Sequence, residues 1–257
     1  MWQAGDAYEA YIGRWSRRVA ATFVRQLDVP ASRRWLDVGC GTGALTSAVL
    51  AAADPAEVVG VDPSEGFLKT ARESVTDPRA SFSLADAREL PFPDDDFDVV
   101  VSGLVLNFVP DPAKAASEIA RVTRGLAAAY VWDLAEGMEL IRRFWDAAAE
   151  LDPAKVAELD EGRRFTLCRP EPLGRLWTEA GFSGVSVGEV KIPTVFTGFD
   201  DYWQPFLGAQ GPAPAYLATV PEPRRDQIRE LLRSRLPTNP DGSIPLTARA
   251  WVVSGTA

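Results

Sequence analysis

Apolar positions near the start of the chain recur with a helical period. Tyr8, Tyr11, Ile12, Trp15, Val19, Phe23, Val24 and Leu27 fall on one stripe, and Arg14, Arg17, Arg18 and Arg25 take positions between them. Residues 7–28 are therefore expected to form an amphipathic helix, ended by Val29-Pro30. The pattern then changes to short β-prone runs: Arg34–Val38, Glu57–Asp62, Ala80–Leu84, Phe97–Ser102 and Ala128–Asp133. Helical stretches separate them, from about Gly43 to Ala53, from a Ser64 N-cap to about Ser74, and from Asp111-Pro112 to Gly125. Strands alternating with helices at this spacing predict an α/β fold, a doubly wound and mostly parallel sheet with helices on both faces.

After Asp133 the rhythm breaks. Residues 137–160 are helical in pattern, with apolar Met138, Ile141, Phe144, Trp145 and Ala148. A helix over Glu171–Gly181, a short strand at Val185–Val187, a charged helix near Arg224–Arg235 and a closing strand over Thr247–Ser254 follow. The chain is expected to be a single domain over residues 1–257. Residues 1–30 form an N-terminal helical cap in this reading, and 134–169 and 194–245 are cap insertions over the substrate site. The insertions hold Phe144, Trp145, Phe196, Phe199, Tyr202, Trp203 and Phe206. These aromatics suit either an apolar substrate pocket or the private core of the cap.

Charge and composition remove several functions. The 257 residues include 27 Lys and Arg against 36 Asp and Glu, a net charge of −9. That balance argues against nucleic acid or an anionic membrane as partner, since both need a positive surface. The chain has no histidine, which excludes Ser-His-Asp and Cys-His catalysis and the HExxH zinc site. Cys40 and Cys168 make no metal-ligand spacing, and Asp94-Asp95-Asp96 fits a solvated loop, so no metal site is expected. The polar N-terminus shows no signal peptide and no run is long enough to span a membrane, so a cytoplasmic location is the expectation.

The strongest local feature is Asp37-Val38-Gly39-Cys40-Gly41-Thr42-Gly43-Ala44, set between a strand and a helix. Glycines there let the backbone approach a ligand. Gly39, Gly41 and Ala44 also satisfy the dinucleotide pattern G-x-G-x-x-G/A, and Asp62 at the end of the second strand suits a ribose diol with either cofactor. Asp37 separates the two. A carboxylate at the mouth of the turn repels a pyrophosphate and welcomes an ammonium or sulfonium. Asp86, after the third strand, adds a second acid that can accept from an exocyclic amine.

Leu36–Gly43 resembles the first motif of class I S-adenosylmethionine (SAM)-dependent methyltransferases, and Val59–Ser64 resembles their second. Ala85-Asp86-Ala87 with Leu90-Pro91-Phe92, and Phe97–Val100, resemble the third and fourth. The match is closest to the small-molecule branch that includes quinone-biosynthesis methyltransferases. The resemblance implies a seven-stranded sheet with a reversed last strand and SAM as cofactor. It implies that Gly39, Gly41 and Gly43 lie against the methionine part, with Asp37 on its amino group. Asp62 binds the ribose hydroxyls, Pro63 and Ser64 lie beside the adenine, Asp86 takes the adenine amine and Ala87 its ring nitrogen. Ser102 and Leu104 pass close to the sulfonium. Relatives often carry His where this chain has Asn107. Tyr11 and Arg14 are expected to cover the cofactor, with Arg14 on its carboxylate.

Methyl transfer from a sulfonium is an in-line displacement that mainly needs alignment and exclusion of water. An O- or N-nucleophile still needs a proton acceptor, and Asp133 at the end of the fifth strand is the best-placed carboxylate, ahead of Glu136, Asp200 and Asp201. The expected reaction is methyl transfer to a small, partly apolar metabolite. Competing readings are a SAM-binding enzyme of another reaction such as a cyclisation, an NAD-dependent oxidoreductase, and a non-catalytic binding or regulatory module.

Overall fold

Seven strands make one sheet in the computed structural model of the chain, which describes residues 9–208 and 211–257. They are β1 (Arg34–Val38), β2 (Glu57–Asp62), β3 (Ala80–Leu84), β4 (Phe97–Gly103), β5 (Thr123–Trp132), β6 (Ser183–Phe196) and β7 (Ile244–Thr256). Their order is β3-β2-β1-β4-β5-β7-β6. β1 pairs in parallel with β2 and β4, β2 with β3, and β4 with β5. β7 runs against β5. The Ala257 N–H donates to the Gly125 carbonyl at one end of the pair and the Asp133 N–H to the Arg249 carbonyl at the other. The expected parallel sheet with one reversed last strand is what forms.

The chain moves outward from β1 to β3 and then returns to place β4 on the other side of β1. That order makes a topological switch point between β1 and β4, at whose carboxyl ends open α/β sheets bind ligands. The central strands are buried on both faces. Trp35, Leu36, Val38, Val58, Val61, Val100 and Val101 have no exposed surface, and each such side chain contributes about 1.5–3 kcal/mol. Helix starts follow local chemistry. The Ser64 hydroxyl accepts from the Phe67 N–H, and Asp111 accepts from the Lys114 N–H with Pro112 in the first turn.

Several boundaries differ from expectation. The described N-terminal residues begin with a π turn, Glu9–Gly13, followed by an α-helix over Arg14–Leu27; the expected helix start at residues 7 and 8 lies outside the described residues. The helix from Pro112 ends at Val122, not Gly125. Gly125 is a strand residue at which a Cβ would lie 2.5 Å from the Asp98 carbonyl, so glycine serves strand contact and not a helix cap. Residues 137–160 break into helices Glu139–Leu151 and Pro153–Leu159, because Asp152-Pro153 repeats the Asp-Pro start signal. β6 has 14 residues where three were expected. Val190, Ile192, Thr194 and Phe196 are buried and alternate with exposed residues, but Pro193 and the glycines hide a strand that lies at the sheet's edge.

The described chain groups into two compact units. One holds the residues up to Trp15, Trp132–Thr166 and Lys191–Ala250; the other holds Ser16–Val131, Leu167–Val190 and Trp251–Ala257. In the first unit the aromatics pack on one another. Phe144 stacks on Phe206 at 4.6 Å, and Phe196 meets Tyr202 edge-on at 5.4 Å. Phe144, Trp145, Phe196, Tyr202, Trp203 and Phe206 are all buried and make that unit's own core. Phe199 is half-buried under the Arg233 guanidinium, 4.1 Å from its ring centre. Among the described residues no helix is long and apolar enough to cross a membrane, and no cluster of acidic or cysteine side chains has metal-binding geometry.

Candidate cofactor site

Beyond β1 the chain turns sharply, and both the Gly39 and Cys40 N–H groups donate to the Val61 carbonyl, at 2.7 and 2.9 Å. Gly39, Gly41 and Gly43 have φ of 76°, 53° and 87°, values that favour glycine. Their surroundings differ. A Cβ on Gly39 would lie 2.5 Å from a Val105 methyl, and one on Gly43 would lie 2.9 Å from a Val75 methyl. A Cβ on Gly41 would meet nothing within 4 Å among the described residues. The outer two glycines are required by packing, and the middle one borders open space.

Asp37 lies on the strand that enters this turn, and Asp62 is bonded to it at Gly41. Asp37 is fully buried in β1, and its Oδ2 accepts from the Thr46 hydroxyl at 2.7 Å. Its Oδ1 is buried and has no hydrogen-bond partner among the described residues. Burial pushes the carboxyl up to about 7, against the pull of the bonds from Thr46. Asp62 ends β2 and is tied on both sides. Its Oδ2 accepts from the Gly41 N–H at 3.0 Å and its Oδ1 from the Ser64 N–H at 2.9 Å. Burial raises its pKa, with the two backbone bonds opposing. Pro63 beside it is exposed and Ser64 half-buried.

Asp86 and Ala87 follow β3. The Asp86 carboxylate is gripped by Arg88, whose Nη2 donates to Oδ2 at 2.6 Å and whose Nε donates to Oδ1 at 3.0 Å. These bonds hold its pKa at about 2. The acid is therefore ionised but already engaged. Ala87 is buried. At the end of β4, the Ser102 hydroxyl is buried and donates to the Val38 carbonyl at 2.8 Å, joining the two central strands. Leu104 follows with φ of 63°, and Asn107 lies half-buried in the 3₁₀ turn Leu106–Phe108.

These glycines and acids, with Ser64, Ala87, Ser102 and Leu104, all belong to the unit that holds β1–β4. Tyr11, Arg14 and Asp133 belong to the other unit. Tyr11 is buried and meets the Phe206 ring edge-on at 5.4 Å. Arg14 pairs with Asp201 at 2.8 Å, with its guanidinium over the Trp15 and Phe196 rings. Asp133 is buried and held by Arg249 through Nε at 2.8 Å and Nη2 at 2.5 Å, and its Oδ1 accepts from the Glu136 N–H. Both oxygens of this acid are thus engaged at the strand exit. Gly137 leaves room for the pair, since a Cβ there would lie 2.7 Å from Asp133 Oδ2.

Two residues escaped the sequence reading. Thr46 holds Asp37 from the first turn of the helix Ala44–Ala52, and its spacing from Asp37 carried no motif. Glu161 is buried in the aromatic unit, where it accepts from the Trp145 indole N–H, and burial pushes it up to about 7. No sequence signal marked it.

Known proteins resemble this chain over the strands that carry these residues. The family model described as "Methyltransferase domain" matches residues 36–130, the span from β1 through most of β5. A demethylmenaquinone methyltransferase of Roseiflexus is 30% identical over 182 residues, covering 66% of this chain and 76% of the relative. One from Clavibacter sepedonicus is 43% identical over 108 residues, 42% of each chain. The chain spans less than half the length of several curated relatives that it matches. The crystal structure of YcgJ from Bacillus subtilis superposes with a TM-score of 0.59 at 19% identity, covering 93% of this chain and 97% of that one. At that identity it speaks for the fold. With four motifs in order, the sheet order and the Roseiflexus relative in agreement, the chain belongs to the class I S-adenosylmethionine-dependent methyltransferase family.

Proposed function

We propose that the protein binds SAM around Gly41 and transfers its methyl group to a small, partly apolar acceptor. The observation that carries this reading is Asp37 Oδ1, a buried carboxylate oxygen without a hydrogen-bond partner among the described residues, on the strand that leads into the open glycine turn. A buried acid at about 7 is stabilised as the anion by a cationic ligand group. The amino group of a methionine moiety supplies that cation, whereas a pyrophosphate would face two carboxylates. The residues therefore fit SAM better than a dinucleotide.

In this reading Asp37 holds the amino group and Asp62 the ribose hydroxyls. Each Asp62 oxygen accepts one backbone N–H and keeps capacity for another donor. Pro63, Ser64 and Ala87 flank the adenine, and Asp86 accepts from its amine by sharing with Arg88. Gly39 and Gly43 keep the turn tight, while Ser102 supports the crevice from below. Bound SAM supplies a methyl group already activated by the sulfonium. The protein's own part is to align and to exclude water. Asp133 is committed to Arg249, so it is assigned a structural role here and not that of proton acceptor. Arg14 is likewise taken up by Asp201.

The demethylmenaquinone methyltransferase relatives make a demethylmenaquinone-type ring compound the first acceptor to test. Calorimetry should give micromolar-range affinity for SAM and S-adenosylhomocysteine (SAH), about −8 kcal/mol, and none for NAD. Release of SAH with the acceptor completes the test. Tight NAD binding without SAM binding would overturn the proposal. SAM binding without methyl transfer to any acceptor would leave the cofactor and remove the reaction.

A further inference from the structure

Leu104 is a non-glycine residue with φ of 63°, directly after Gly103 at the carboxyl end of β4. A leucine in the left-handed region is strained, and such a conformation persists only where its surroundings enforce it. Two contacts on Tyr130 of β5 do so. The Leu104 N–H donates to the Tyr130 carbonyl at 2.8 Å. Gly103 pairs with Tyr130 across the strands, so close that a Cβ there would lie 2.5 Å from the phenol oxygen and 2.6 Å from the ring carbon that bears it. The ring is buried and packed against Phe23 at 4.6 Å, so it has little room to yield. On the far side of Leu104, Val105 rests on Gly39 of the glycine turn. The strained residue thus bridges a fixed ring and the cradle.

The inference rests on the cofactor reading above. With the amino group at Asp37 on β1 and the ribose at Asp62 on β2, the sulfur joins two groups fixed at neighbouring strand ends. On the β4 side of β1, Val105 packs on Gly39, so segment 103–105 borders the proposed cofactor turn opposite β2. We propose that Tyr130 is a positioning residue. Acting through Gly103 and Leu104, it holds segment 103–105 as the fixed wall that faces the sulfonium end of the cofactor. That wall sets the discrimination between methylated, charged SAM and neutral SAH.

The test compares wild type with Tyr130→Phe, Tyr130→Leu and Leu104→Gly, using SAM and SAH as calorimetric probes and thermal melting as the control for folding. Tyr130→Phe keeps the ring under Gly103 and should retain the wild-type ratio of the two affinities. Tyr130→Leu removes the ring. Leu104→Gly releases the strain without opening the core, so its melting temperature should not fall. Both should change the SAM to SAH ratio by about five-fold or more, which corresponds to about 1 kcal/mol. A purely structural role for Tyr130 would lower stability and leave that ratio unmoved. If Tyr130→Leu does not fold, Leu104→Gly decides alone. Binding of both probes with an unchanged ratio in Leu104→Gly would overturn the proposal and leave the cofactor reading standing. A wild-type protein that binds neither SAM nor SAH would overturn both.

Discussion

Asp37 offers the sharpest quantitative test, because its burial makes a stability and a binding prediction with opposite pH trends. Its carboxyl lies at about 7 in the folded protein against an ordinary 3.8. The folded pKa is raised, so the unfolded chain releases this proton first as pH increases. Folding then loses stability from about pH 4 upward, and the loss is complete once pH passes about 7. Three pH decades at 1.36 kcal/mol each make this about 4 kcal/mol. Asp37→Asn keeps an acceptor for the Thr46 hydroxyl and cannot ionise. Urea unfolding of both proteins at pH 3.5 and pH 8, without ligand, should give similar stabilities at pH 3.5. At pH 8 the variant should be the more stable by about 3–4 kcal/mol. Glu161 titrates in both proteins, so the difference isolates Asp37. Ligand binding should run the other way. SAM affinity of the wild type should rise through pH 7 as the carboxylate forms to meet the amino group, while that of Asp37→Asn stays flat and about ten- to a hundred-fold weaker. Equal pH slopes of unfolding in the two proteins would refute the argument.

The other glycines and acids give further expectations. Gly41→Val should abolish SAH binding by filling the open space at the turn, and Gly39→Ala should instead destabilise the fold by about 1–3 kcal/mol, through its left-handed φ and the collision with Val105; calorimetry and urea melts separate the two. Glu161→Gln should flatten part of the pH dependence of stability. The wild-type carboxyl at about 7 against 4.5 costs folding about 3 kcal/mol between pH 4.5 and 7, so the variant should gain at pH 8 and not at pH 4. Arg249→Ala leaves the buried Asp133 carboxylate without its cation and should cost about 3 kcal/mol. Asp133→Asn should lower single-turnover rates by less than about a hundredfold, and a larger fall at unchanged SAM affinity would restore it as a catalytic base.

What the sequence made legible was whatever depends on neighbours along the chain. The glycine turn and the strand end at Asp62 are set within a few residues of one another, and the strand-helix rhythm announces the parallel sheet. Helix starts at Ser64 and Asp111 were readable for the same reason. Boundaries failed where a distant contact decides. Gly125 has the local signature of a helix end, yet the Asp98 carbonyl on the neighbouring strand dictates its place. β6 was hidden because prolines and glycines are tolerated at an edge strand, and only the sheet order reveals that it is one.

The candidate acids divide along the same line, and the division bears on mechanism. Asp133 looked like a free carboxylate because the arginine that claims it stands 116 positions away. Arg14 looked like a free cation until Asp201, 187 positions away, is seen beside it. Asp86 was readable as an acid at the sheet edge, but its grip by Arg88 depends on a side chain folding back over two residues. Asp37 is the exception, since its Oδ1 has no hydrogen-bond partner among the described residues. In the proposed site that oxygen is the expected seat of the ligand's amino group, beside the spare accepting capacity of Asp62. Without histidine and with Asp133 held by Arg249, the proposed methyl transfer is expected to rest on alignment around Asp37 more than on proton transfer.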